Sequence, residues 1–93
     1  MNDEVSNQTP ATIERELQEL LARRLKTTVP TDQDLFASGL VTSMFAMELV
    51  VHLEGTYGIA ILGGDLKLDN FRTVERMTTL VTRLSDLAAT TSG

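Results

Sequence analysis

Ser43-Met44-Phe45-Ala46-Met47-Glu48-Leu49-Val50-Val51-His52-Leu53-Glu54 is the stretch that decides how this chain is read. It lacks proline and has helical spacing, with Gly55 placed to close it. On a helical wheel with Ser43 at zero, Ala46, Leu49, Val50 and Leu53 fall between about 240° and 340°. That is a sound core stripe. Met44, Met47 and Val51 fall between about 40° and 100°, a second apolar stripe on another side, while Phe45, Glu48 and His52 lie near 140–200°. A helix with one core-facing side does not need two stripes. In a domain this small, too few other elements exist to wrap a helix all round. The second stripe is therefore expected to face partners, and two of its three residues are Met, an adaptable contact side chain. Cover by short helices elsewhere stays open on patterning alone.

Working outward, 93 residues make a single domain. Thr9-Pro10 reads as an N-cap with proline in the first turn, and Ile13, Leu17, Leu20, Leu21 and Leu25 follow on one helical stripe. Val29-Pro30 is expected to end that helix. A long loop follows, carrying Asp32, Asp34, Leu35, Phe36 and Gly39, its apolar members tucked under the helices. After the central helix, Tyr57 to Ile61 alternates as a short extended stretch, and Asp65 to Asp69 suggests one short helical turn. Thr73 caps a last helix with Val74, Met77, Leu80, Val81, Leu84 and Leu87 in period. The expectation is an all-α fold, a small antiparallel four-helix bundle of three main helices and one short one. One domain spans 9–88, with flexible tails at 1–8 and 89–93.

Composition removes several function classes. There is no Cys and one His, which excludes disulfides, thiolate metal sites and a cysteine nucleophile. The start is acidic, without a basic stretch leading into an apolar run, so neither a signal peptide nor a membrane span is expected. Cytoplasmic residence is the simplest expectation. All eight Lys and Arg lie outside Thr27–Leu66, whereas Asp32, Asp34, Glu48, Glu54 and Asp65 lie inside it. The net charge of −5 thus belongs to the central segment, which disfavours nucleic acid and suits basic partners. Asp32-x-Asp34 is similar to the opening of a calcium loop, but the glycine and terminal glutamate of that motif are missing.

Ser43 is the candidate for chemistry. A serine at a helix start is ordinarily a cap. No Gly-x-Ser-x-Gly elbow surrounds it, and His52 lies about 180° around and some 13 Å along the same helix, so a Ser43–His52 dyad is excluded. Attachment of a phosphate ester there by a separate enzyme suits the free N–H groups of the helix end.

The run Asp34-Leu35-Phe36-Ala37-Ser38-Gly39-Leu40-Val41-Thr42-Ser43-Met44 resembles the attachment motif of phosphopantetheine-dependent acyl and peptidyl carrier proteins. The resemblance continues through Glu48-Leu49, Leu53-Glu54, Tyr57-Gly58-Ile59-x-Ile61 and Asn70-Phe71-x-Thr73-Val74, covering roughly Ile13 to Leu87. It implies a four-helix fold, no enzymatic activity of its own, and 4'-phosphopantetheine from coenzyme A on Ser43. It also implies a partner surface at Thr42, Met44, Met47, Glu48 and Val51. The implied partners are a phosphopantetheinyl transferase and acyl-loading or acyl-modifying enzymes or synthase modules, meeting a monomer. Thr42 stands where the family usually has Asp, and Phe45 where fatty-acid carriers are often polar. The Val41–Leu49 run is similar to discrete carriers of polyketide extender units of hydroxymalonyl or methoxymalonyl type. Aminoacyl or D-alanyl carriage, and a helical interaction module without a cofactor, are the other readings.

Overall fold

The computed structural model describes residues 9–92, with side chains through residue 87. The expected tail at 1–8 lies outside the described residues. Among the described residues there are three α-helices: α1 (Pro10–Leu25), α2 (Ser43–Tyr57) and α3 (Val74–Ser92). Two 3-10 turns, Gly63–Asp65 and Leu68–Phe71, stand between α2 and α3 where one short helix is expected. The positive φ of Gly63 (59°) and extended Lys67 interrupt that segment, so neither turn grows into an α-helix.

Local chemistry sets each boundary. Thr9 accepts from the Thr12 N–H at 3.2 Å and Pro10 fills the first turn, as the sequence suggests. At the other end α1 stops at Leu25, before the expected Val29-Pro30. Lys26 turns left-handed (φ 60°) and its N–H reaches Ala22 O at 2.8 Å. α2 runs past Gly55, which lies inside the helix. Gly58 (φ 65°) is the cap, with its N–H on Glu54 O at 3.0 Å. The extra turn is held by Tyr57, half-buried, whose hydroxyl donates to Glu16 Oε1 of α1 at 2.7 Å. Burial, and then the Glu16 carboxylate, push the phenol well above its ordinary range and keep it protonated as a donor. Thr73 accepts from the Arg76 N–H at 3.0 Å and begins α3. Backbone helix continues to Ser92, where a loose tail from residue 89 is expected; Ala88 and Ala89 are strong helix formers and nothing there breaks the helix.

The core joins all these elements. Ile13, Leu17 and Leu21 of α1 meet Val74, Met77, Leu80 and Val81 of α3, with Leu84 partly buried and Leu87 exposed. Ala46, Leu49, Val50 and Leu53 form the inner face of α2, as the wheel predicts. Val29, Leu35 and Val41 bring the long loop into the same core. Ile59 and Ile61 are buried on either side of exposed Ala60, so the alternating stretch is extended without pairing as a strand. Its Ile61 N–H is satisfied by the Glu54 carboxylate at 2.8 Å.

The loop before α2 is fixed by polar bonds. Asp34 Oδ1 accepts from the Phe36 and Ala37 N–H groups at 3.1 and 2.8 Å, and its Oδ2 accepts from Arg72 Nη1 at 3.1 Å. Those bonds engage both oxygens of Asp34, the second acid of the Asp32-x-Asp34 pair. Leu35 N–H donates to Arg72 O at 2.8 Å, and Arg72 Nε donates to Asp69 at 3.0 Å. Arg76 also donates to Asp69. The Ala37 N–H, with help from Arg72, holds Asp34 below the usual carboxylate range, and Arg72 does the same for Asp69. Groups whose folded-state pKa is lowered stabilise the fold above their unfolded value and lose that contribution as pH falls through the folded one. Arg72→Met should therefore lower the melting temperature at pH 7. The gap from the unaltered protein should shrink at about pH 3, below the ordinary Asp value of about 3.9. Thermal melts at the two pH values check this.

Candidate functional site

The candidate site is the beginning of α2. Thr42 is extended (φ −96°, ψ 168°) and accepts from the Phe45 N–H at 3.2 Å, while its carbonyl accepts from the Ala46 N–H at 2.9 Å. Thr42 therefore caps the helix with its side chain, and Ser43 does not. Ser43 follows as the first helical residue and is exposed. Its N–H and that of Met44 belong to the unpaired set at a helix start. An exposed hydroxyl beside free donors, at the positive end of the helix, fits a phosphodiester attached from outside. α2 is unbroken from Ser43 to Tyr57, so the geometry that separates His52 from Ser43 holds. His52 Nε2 instead lies 3.3 Å from Thr56 Oγ1.

The second apolar stripe is open. Met44 is 77 % exposed, Val51 69 % and Met47 56 %, so among the described residues no short element covers them. Leu62, Leu66 and Leu68, at and beside the 3-10 turns, are exposed as well. A small cleft of about 110 Å³ lies between Met47 and Val50 of α2 and Leu66, Leu68 and Phe71, so the stripe and the turns share one apolar surface. Sequence pattern misses these leucines because they sit in irregular chain without a period. A concavity of about 490 Å³ between Pro10 and the Thr78–Leu87 side of α3 includes no residue of α2 among the described ones.

Charge is distributed differently from what the sequence implies. Glu48, the expected acidic contact, forms an ion pair with Arg24 of α1 at 2.8 Å. The Arg24 guanidinium also stands 4.8 Å from the centroid of the Phe45 ring. Asp34 pairs with Arg72, Asp65 pairs with Arg83 at 2.7 Å, and Glu54 accepts from Ile61 N–H. Four of the five carboxylates of the acidic segment are thus engaged by groups of the same chain. Arg24 adjoins the candidate site through Glu48 and Phe45, and sequence reasoning misses it. The one available signal was the absence of any base between Thr27 and Leu66, which leaves neighbours from outside that segment to answer its charge.

Residues 15–81 match the family described as the phosphopantetheine attachment site. The match spans most of the chain, and the protein belongs to that family. It is thus a carrier of 4'-phosphopantetheine that tethers acyl groups and is not itself an enzyme. Such carriers work with phosphopantetheinyl transferases and synthase enzymes. No curated protein matches the chain. Among the described residues, no helix is long and apolar enough to cross a membrane.

Two substitution sets check this geometry. Thr42→Ala should lose about 1 kcal/mol of stability, the usual cost of a missing cap, whereas Thr42→Asp should hold it. Denaturant melts read the difference. Leu49→Glu places an unpaired carboxylate in the core and should unfold the domain, whereas Val51→Glu should melt close to the unaltered protein.

Proposed function

We propose that Ser43 is the attachment point, receiving the phosphopantetheine of coenzyme A through its hydroxyl. The observation that carries this reading is the exposed hydroxyl at the first position of a preformed, Thr42-capped helix inside the matched region. Once attached, the arm supplies a thiol that holds an acyl group as a thioester. The protein's own residues do the rest. Thr42 and the helix end fix the origin of the arm, and the exposed side chains around it are read by partner enzymes. Tethering keeps the intermediate at high effective concentration for successive enzymes.

The partner surface in this reading comprises Thr42, Met44, Met47, Glu48 and Val51. Exposed Met and Val dominate it, which points to recognition by apolar contact. A weakly charged recognition helix suits a dedicated carrier more than a general fatty-acid carrier. Polyketide or mixed polyketide and nonribosomal peptide biosynthesis is the assignment we favour, with a hydroxymalonyl- or methoxymalonyl-type extender unit as the acyl group and the cytoplasm as the compartment. The resemblance of the Val41–Leu49 run to discrete extender-unit carriers supports it.

Incubation with coenzyme A, magnesium and a permissive phosphopantetheinyl transferase should add one phosphopantetheine per chain by intact mass. Ser43→Ala should abolish the addition. Persistence in that variant, or modification mapped to Ser38, contradicts the assignment.

A further inference from the structure

No Lys or Arg occurs between Thr27 and Leu66, yet the fold brings a guanidinium to the flank of α2. Arg24 Nη2 donates to Glu48 Oε1 at 2.8 Å, and its Cζ lies 4.8 Å from the Phe45 ring centroid. Phe45 and Glu48 are three residues apart and so neighbours on one face of the helix. Arg24 is consequently held at two points. An isolated exposed ion pair is weakly occupied, because two long side chains must be fixed together. The ring beneath the guanidinium adds a second attraction and keeps the charge over Glu48.

We infer that Arg24 is a specificity-determining residue that masks Glu48, so that the side of α2 beside Ser43 offers partners an apolar and nearly uncharged surface. This rests on the reading of Ser43 as the attachment point. A bare carboxylate attracts a cation over roughly 8 Å at physiological ionic strength. Compensated at 2.8 Å, it presents only a dipole, whose field falls off much faster. A partner that reads carboxylates with a Lys or Arg cluster must break the pair or bring its cations against Arg24, and like charges brought together oppose docking. A partner with an apolar depression for Met44, Met47 and Val51, and no basic cluster opposite Glu48, meets neither obstacle. The mask therefore sorts partner enzymes by the charge of their docking face. The side chains of Arg24 and Glu48 are 51 % and 56 % exposed, so both ions stand where a docking protein meets them.

The test uses a phosphopantetheinyl transferase whose docking face is basic, with coenzyme A and magnesium. Initial rates of adduct formation are followed by intact mass at low and high NaCl for the unaltered protein, Arg24→Gln, Glu48→Gln and the double variant. Thermal melts accompany each. Arg24→Gln should accelerate modification by about 3- to 10-fold at low salt, with the gain shrinking as salt rises. The double variant should lose the gain that Arg24→Gln gives alone. Glu48→Gln leaves Arg24 uncompensated and should slow the reaction. A rate for Arg24→Gln within about twofold of the unaltered protein, or a gain that survives in the double variant, overturns the inference. Failure of the unaltered protein to accept the group on Ser43 contradicts the attachment reading itself. Normal modification of Ser43 without the Arg24→Gln gain contradicts only the mask.

Discussion

Everything at the functional end of this domain depends on burying one face of α2 and leaving another bare. Ala46, Leu49, Val50 and Leu53 are covered by α3, the loop and the second 3-10 turn, and among the described residues no element remains to cover Met44, Met47 and Val51. A small domain has a limited supply of covering surface. Here that limit becomes useful. The buried face fixes the helix, Thr42 fixes where it begins, and Ser43 is thereby placed exposed at its first position. The exposed stripe then lies beside the serine as a consequence of helical geometry alone.

Ion pairs complete the arrangement by joining the acidic segment to basic residues on either side of it. Arg72 ties Asp34 of the long loop to Asp69 of the second 3-10 turn, and Arg83 of α3 holds Asp65. Arg24 does the same for Glu48 from α1. Each pair is exposed enough that its worth to stability is small. Their larger effect is on surface potential. A segment without a single Lys or Arg folds into a surface much less acidic than its composition, and Met and Val are left as the prominent features around Ser43.

Much of this was legible beforehand because helices obey a short period. The inner stripe of α2, the Thr9 and Thr73 starts and the placement of Leu35 all follow from local pattern and hydrophobic burial. The end of α2 was misread at Gly55, since a glycine can sit inside a helix when a later one adopts the left-handed turn. Here Gly58 does so, and Tyr57 anchors the added turn through Glu16. The short helix expected near Asp65–Asp69 is instead two 3-10 turns, because a stretch of that length is decided by what it packs on. Arg24 was illegible for another reason. Its partner lies on a different helix, and no periodicity reports a contact made through tertiary structure.

The claim that a preformed helix end displays the modified serine is tested most directly by comparing backbone amide NMR spectra of the protein before and after phosphopantetheine is attached. The account predicts shift changes confined to the residues around Ser43 and the adjoining apolar surface, with α1 and α3 core amides unmoved. Changes spread through the core, or centred on the Pro10 and Thr78 groove, would contradict it.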